Sequence, residues 1–417
     1  MRRLGPPNVA SASGRRSPGV VANGDKWRRL AHDVLMTATP TVPRWRRWLV
    51  GVAAVAVVVI VGTGLWNVTG APMLAPVSPD AAVPFDSGAR HVFVINLENK
   101  GYDNTWGADS PAPYLSGTLR DQGVLLTQYF GVAHHSLPNY IAQISGQGPN
   151  RQTQADCPRF TAFEQTGMAG QGQAVGEGCV YSSSVPTVAG QLTDAGLTWK
   201  GYLEDMGTPC RHPLPDAVDD TQRARVGDQY AVKHNPFVYF AGITDSADCA
   251  RNVVDLHTLT SDLGAVSSTP NLSMITPNLC HDGHDAPCVD GQPGGLAGAD
   301  EWLKQWVPVI TSSPAFRQDG MLVITFDESD SPESDSSACC GVPQGPNASL
   351  PGIDGLGGGR VGALVLSPFI AAGTTSNTPY NHYSLLASIE DTFGLPYLGF
   401  AGAPGLVRFG ADVFNAG

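Results

Sequence analysis

The eight cysteines of this chain include no C-x-x-C pair, which removes the ligand spacing expected of a zinc-finger module. No internal repeat runs through the sequence, and charged residues make up only 15% of it. With 42% hydrophobic residues, that composition reads as globular rather than disordered. Glycine (49) and proline (33) are abundant instead, which predicts long structured loops around a compact core. At 417 residues the chain is long enough for one large domain or two ordinary ones.

Positive charge is concentrated at the N-terminal end. The formal net charge is −12, yet residues 1–47 hold ten Lys/Arg against Asp25 and Asp33, so the remainder is more acidic than the total. A strongly acidic domain repels a polyanion, so nucleic acid is not expected as a partner. One long run lacks charge altogether: Trp48–Trp66, WLVGVAAVAVVVIVGTGLW. As a helix it would span about 28 Å, close to the thickness of a bilayer's hydrocarbon core. Arg44, Arg46 and Arg47 abut it, which places residues 1–47 in the cytoplasm and the rest outside. The expectation is an uncleaved single-pass signal-anchor in the cell membrane; a cleaved signal peptide, releasing a secreted protein, is the rival. The organisation expected is a basic segment at 1–47, a transmembrane helix at 48–66, a Pro/Ala-rich tether at 67–89 and a domain at 90–417.

All eight cysteines fall on the outer side, where an even number reads as disulfides. Local pairing predicts Cys157 with Cys179 and Cys210 with Cys249. Adjacent Cys339 and Cys340 are expected to bond to different partners, because a vicinal bridge strains the peptide between them.

HVFVINL at residues 91–97 is an almost continuous apolar run, as a strand buried on both faces of a parallel sheet requires. Similar runs recur at 197–203, 272–275, 321–326 and 361–367. Helix-like stretches lie between them at 112–122, 140–144, 187–195, 299–310 and 383–393. This alternation predicts an α/β fold, a mainly parallel central sheet flanked by helices. Glu98-Asn99 and Asp327-Glu328 each follow such a strand, and in open α/β sheets ligands bind at the carboxyl ends of strands. A lone carboxylate there can simply cap a helix. Two acidic pairs converging in one cleft would repel each other, and a divalent cation resolves that conflict.

Three further segments carry chemistry. In ITPNLCHDGHDAPC (275–288), Asp282 and His284 can face one ion if the backbone is extended, with His281 pointing the other way. His382 stands at the start of the helix-like stretch 383–393, as a capping group or a ligand. In GVAHHSLPNYIAQISG (131–146), Ser136 opens a helix pattern as an N-cap or a nucleophile, with His134 and His135 as rivals.

The order of ENKGYDNTWG, HHSLPNYIAQISG, PNLCHDGHD, ITFDESD, GGRVGALVLSP and NHYSLLASIEDTFGLP resembles the bacterial phosphoesterase family, over about residues 90–400. That family groups acid phosphatases, phosphatidylinositol phosphatases and phospholipase C enzymes within the alkaline phosphatase-like superfamily. KHNPFVYF (233–240) brings the resemblance nearest to acid phosphatases acting on phosphatidylinositol 3-phosphate. The resemblance implies metal ligands at Glu98, Asn99, Asp327 and Glu328, and a second set at Asp282, His284 and His382. It implies Ser136 as nucleophile with His135 as rival, and His234 as a catalytic or substrate-side group. Lys100 and Asn139 join the expected substrate contacts. The sequence departs from the family pattern at Lys100-Gly101, where many members have His-Ser, and in the two histidines before the serine.

The expected function is a phosphomonoesterase acting on a phosphorylated small molecule or phosphoinositide through a phosphoserine, with two divalent ions drawn from Ca, Mg, Mn, Zn or Fe. The alternatives are a phosphodiesterase or phospholipase C, and a non-catalytic binding module with a structural cation. A sulfatase-like enzyme is a poorer match, since HHSLPNY lacks the arginine of C/S-x-P-x-R.

Overall fold

The computed structural model describes residues 86–416. The basic segment, the span Trp48–Trp66 and most of the tether lie outside the described residues. Among the described residues, no helix is long and apolar enough to cross a membrane. The last residues assigned to the tether are not loose, since Ala89 is fully buried.

Eight strands form the main sheet: β1 (His91–Leu97), β2 (Val124–Leu126), β3 (Trp199–Leu203), β4 (Val253–Asp255), β5 (Leu272–Thr276), β6 (Gly320–Phe326), β7 (Ala363–Leu366) and β8 (Thr374–Ser376). Their order across the sheet is β8-β2-β7-β6-β1-β5-β3-β4. Every residue of β1, β5 and β6 is buried, as strands covered on both faces must be. β1 pairs in parallel with β6, from His91 opposite Gly320 to Leu97 opposite Phe326, and also with β5.

The run expected at 361–367 is a strand, but β7 lies antiparallel to both β6 and β2. The physical reason is its connection. The chain leaves β6 and returns through residues 327–362 without a crossover helix, and neighbours joined that way run in opposite directions.

The four longest α-helices among the described residues are α1 (Ser136–Ser145), α2 (Val188–Asp194), α3 (Gly295–Thr311) and α4 (His382–Phe393). In α3, Leu296, Ala299, Trp302, Leu303, Val307 and Ile310 form the buried stripe of an amphipathic helix. α2 begins behind the Thr187 side chain, which accepts from the Gly190 amide, whereas α1 starts at Ser136, ahead of the stretch expected at 140–144, with His135 rather than the serine at its N-cap and no side-chain cap bond. α1 is buried along its whole length and packs against α4. It ends at Gly146 in the left-handed region, where a Cβ would stand 2.1 Å from Leu398 O. The helix expected at 112–122 is present but irregular: a wide-wound helical segment at Tyr114–Leu119 runs directly into a tightly wound turn at Arg120–Gln122. Asp300 of α3 accepts the Tyr114 and Leu115 amides, which at a helix start have no partner within the helix.

Cys157–Cys179 and Cys210–Cys249 pair as expected, and Cys280–Cys288 closes a third bridge. Cys339 and Cys340, expected to find separate partners, bond to each other. The other six cysteines are already engaged, which leaves each of this pair only its neighbour.

Candidate active site

Because β1 and β6 lie side by side in register, the residues just past them meet at one edge of the sheet. The Asp327 amide donates to Leu97 O (3.0 Å), and the Glu98 amide donates to Asp282 O (2.8 Å). Glu98, Asp282, Asp327 and Glu328 therefore converge, all buried. Gly131 completes the approach: a Cβ at that position would lie 2.6 Å from Asp327 O, so only glycine lets the α1 loop come this close.

Ser136 sits at the first turn of α1 and donates its hydroxyl to Glu98 Oε2 at 2.7 Å. One turn later Tyr140 donates its own hydroxyl to Glu98 Oε1. Asp327 Oδ1 accepts the Asn99 amide (3.1 Å), while Asn99 Nδ2 donates to Glu328 Oε1 (2.7 Å). His134 Nδ1 is in close contact with Glu328 Oε2, and its Nε2 bonds Asp335 O at 3.0 Å. His234 is stacked on Tyr140, with Nε2 3.3 Å from Glu98 Oε2 and Nδ1 3.4 Å from Asp282 Oδ2. Neither approach has the direction of a hydrogen bond.

Burial dominates the electrostatics. It pushes the Glu98 carboxyl well above its ordinary range, and the charges of Asp327 and Asp282 add to the effect. Burial also raises Asp282 and Glu328, and brings Asp327 to about 6. The same desolvation, aided by Lys233 and His284, holds the His234 imidazole well below its usual value, so the ring is neutral and its carboxylate neighbours are not salt-bridge partners.

Asn99 Oδ1, Asp282 Oδ2 and Asp327 Oδ2 are buried and accept no hydrogen bond. Unmet oxygens beside carboxyls that resist ionisation are the donor set a hard divalent cation satisfies, so the residues present fit such an ion. The donors are spread rather than drawn into a tight trio. Among the described residues, the group that brings three such atoms within 4.8 Å of one another is Cys280, Cys288 and Asp290, and its sulfurs are already a disulfide.

Other expected residues take different positions. Asp282 and His284 were expected in an extended backbone facing one way. The chain turns between them instead, with Gly283 at φ +107° and the His284 amide donating to Asp282 Oδ1 (2.7 Å). The His284 ring lies at the rim, paired with Asp285. His382 is fully buried, its Nε2 on Asp327 O (2.6 Å) and its Nδ1 facing Tyr129 and Gln143, so both nitrogens are engaged behind the carboxylates. Burial holds this imidazole at about 4. Asn139, expected to touch substrate, has its side chain occupied by backbone: Oδ1 accepts from Val132 and Ala133, and Nδ2 donates to Ala133 and His135. It shapes the loop rather than facing a ligand. His135 is exposed at the N-cap of α1. The Lys100 ammonium donates to Asn99 O (3.0 Å).

Three residues of the site were not anticipated. Tyr140 follows Ser136 by one helical turn, a spacing that puts both on one face. Lys233 is buried and donates to Asp156 Oδ2 (3.1 Å); Asp156 Oδ1 in turn accepts the Leu137 amide at the start of α1 (3.0 Å). One carboxylate thus ties the serine-bearing helix to the segment carrying His234.

Comparison with known proteins gives a consistent picture. The chain is 29% identical to the phosphate-repressible acid phosphatase of Penicillium chrysogenum over 67% of its own length and 54% of that protein. It is 28% identical to an acid phosphatase of Aspergillus fumigatus over 78% of itself and 58% of the relative. Against the phosphatidylinositol-3-phosphatase of Mycobacterium tuberculosis the identity is 25%, over 75% of this chain and 79% of that one. The chain spans less than two thirds of the length of the fungal enzymes. Among solved structures, a protein of the alkaline phosphatase superfamily from Vibrio parahaemolyticus is 11% identical, covering 75% of this chain and 68% of that one, with a TM-score of 0.43. Residues 110–396, more than half of the chain, match the Phosphoesterase family, and the chain belongs to that family.

Proposed function

We propose that the protein is a phosphomonoester hydrolase that works through a phosphoserine at Ser136. The observation carrying this reading is the Ser136 hydroxyl held 2.7 Å from a buried carboxylate, among oxygens that fit a divalent cation. Attack forms the Oγ–P bond as the bond from phosphorus to the ester alcohol breaks; the hydroxyl proton passes to Glu98, and the departing alkoxide takes a proton from solvent. Tyr140 holds Glu98 in place, His234 stacks on Tyr140, and Lys233 offsets part of the local negative charge. Water then attacks phosphorus, the Oγ–P bond breaks, Ser136 regains its proton from Glu98, and orthophosphate leaves. Asn99, Asp327 and Glu328, bordered by Glu98, would hold one cation, with Asp282 and His284 on the side of a second. A bound divalent ion would supply positive charge for an anionic ester at a site otherwise dominated by carboxyl groups. In this reading His382 fixes the backbone at Asp327.

The acid phosphatase relatives support the monoester reading, and the mycobacterial relative makes a phosphoinositide the first lipid substrate to try. Four disulfides support a site outside the cytoplasm, and Trp48–Trp66 would tether it to the membrane. The test is Ser136→Ala with para-nitrophenyl phosphate and its bis-ester. Turnover of the monoester should fall by about 10³-fold or more. Wild-type turnover in the variant would move the nucleophile to His135, and preference for the bis-ester would make the protein a diesterase.

A further inference from the structure

A cavity of about 470 Å³ opens at the rim of the carboxylate site, within the size range of small-molecule pockets. Gln222, Arg223 and Ala224 line it from one segment, and His284, Pro287 and Val289 from another. His284 thus belongs to both cavity and site, and its amide donates to Asp282 Oδ1 (2.7 Å). Side chains lead from Ser136 to that residue. Glu98 Oε2 accepts the serine hydroxyl, and His234 stands between Glu98 Oε2 (3.3 Å) and Asp282 Oδ2 (3.4 Å). Gln222 makes a second link. Its Nε2 donates to Asp156 O (2.8 Å), and the Asp156 carboxylate accepts the amide of Leu137, the residue after Ser136 (3.0 Å).

Both walls are held in place. The Cys280–Cys288 bridge closes the His284 segment, and the Leu279 amide donates to Gln229 O (3.0 Å), joining it to the other. On that other segment Thr221 Oγ1 accepts the Val232 amide (2.9 Å), and Arg225 and Asp228 exchange backbone bonds. The arginines of this stretch find carboxylates, with one exception. Arg211 pairs with Asp228, Arg225 pairs with Asp220, and Asp219 is taken by Thr221 and Gln222. Arg223 is exposed, lines the cavity, and has no hydrogen-bond or ion-pair partner among the described residues. Asp285, the acidic residue of the lining, is occupied by His284 Nδ1 (2.8 Å). An unpaired guanidinium offers a planar fork of donors that matches phosphate oxygens two at a time.

We propose that this cavity is the subsite for a second phosphate, carried by the alcohol of the ester and held by Arg223. The inference rests on the hydrolase reading above and adds the class of alcohol. What Arg223 recognises is a phosphate anion, whether the monoester of a soluble bisphosphate or the diester of a lipid headgroup.

The experiment uses the full chain, wild type and Arg223→Gln. Turnover is measured for α,ω-alkanediol bisphosphates with spacers from ethane to octane, each against the alkyl monophosphate of the same length. A parallel series carries one of the two phosphates as its methyl diester. At the spacer that spans site and cavity, the wild-type KM for the bisphosphate should fall about tenfold or more below that of the monophosphate. That exceeds the statistical advantage of two equivalent ends. Arg223→Gln should erase the difference while leaving kcat and the monophosphate KM unchanged. An equal gain from the methyl diester sustains the subsite with a lipid headgroup as its source, and a gain confined to the free monoester sustains it with a soluble bisphosphate. A KM advantage at no spacer length, or an equal rise of both KM values in Arg223→Gln, would overturn the subsite. Binding of the matching bisphosphonates is followed by calorimetry. Binding that depends on spacer and on Arg223, without turnover of any ester, would sustain the subsite and overturn the hydrolase reading.

Discussion

Two acidic groups stand at carboxyl ends of strands in this sheet, and only one has the makings of a catalytic centre. Past β1 and β6, Glu98, Asp327 and Glu328 are buried, and Asp327 keeps an oxygen with no hydrogen bond. At the ends of β3 and β4, Glu204, Asp205 and Asp255 meet water and have their needs met locally. Glu204 accepts the Asn278 amide and pairs with His281 at 3.0 Å, Asp205 takes the Asn278 side chain, and Asp255 takes the Gly207 and His257 amides. Burial works on Asp255 as well, but the backbone bonds outweigh it and its pKa falls below the ordinary value. A strand end supplies the position for a ligand site; unmet, desolvated oxygens supply the chemistry.

The sharpest test of that contrast is a matched pair of substitutions. Glu98→Gln removes the proton acceptor of Ser136 and should cut kcat by about 10²–10⁴-fold, whereas Glu204→Gln should leave steady-state turnover within a few-fold. Equal losses in the two variants would erase the distinction. Next in size is cation removal. Chelation should lower the Tm of wild type by several degrees, since a ligand at a hundredfold excess over its Kd contributes about 2.7 kcal/mol. Differential scanning calorimetry with each divalent ion restored in turn checks this; Asp327→Asn should blunt the response and Asp205→Asn should not.

Glu390, buried in α4 far along the chain from either group, sharpens the comparison from another side. One of its oxygens accepts the Leu398 amide (2.9 Å) and the other has no partner. Burial pushes its pKa from 4.5 to about 9. The folded state therefore holds a proton that the unfolded chain sheds, and stability is lost as pH rises from about 4.5 towards 9. Glu390→Gln should match wild type near the lower limit and exceed it by up to about 5 kcal/mol at pH 8, read by urea denaturation at both pH values. A gap that does not widen with pH would mean that Glu390 is ionised in the folded protein.

Much of this was legible in the residues. Continuous apolar runs announced β1, β5 and β6, and the acidic pairs behind two of them announced the centre. Three-residue strands such as β2, β4 and β8 are too short for periodicity to register. The direction of β7 depends on how residues 327–362 return, and no local pattern encodes that route. Side-chain roles were harder still. Asn139 and His382 have the right chemistry to face a ligand, but their polar atoms are committed to Val132, Ala133, Tyr129 and the Asp327 carbonyl. Conversely, Asp156 and Lys233 enter the site through one shared ion pair across 77 residues, which spacing alone does not reveal.

The parallel register of β1 and β6 also constrains how this chain can change in length. Adding one residue within 91–97 or 320–326 would turn the next side chain to the opposite face of the sheet, parting Glu98 from Asp327. The loop from 329 to 360 carries no such phase. Insertions and deletions among related chains are therefore expected to collect there, while the two strands keep their length.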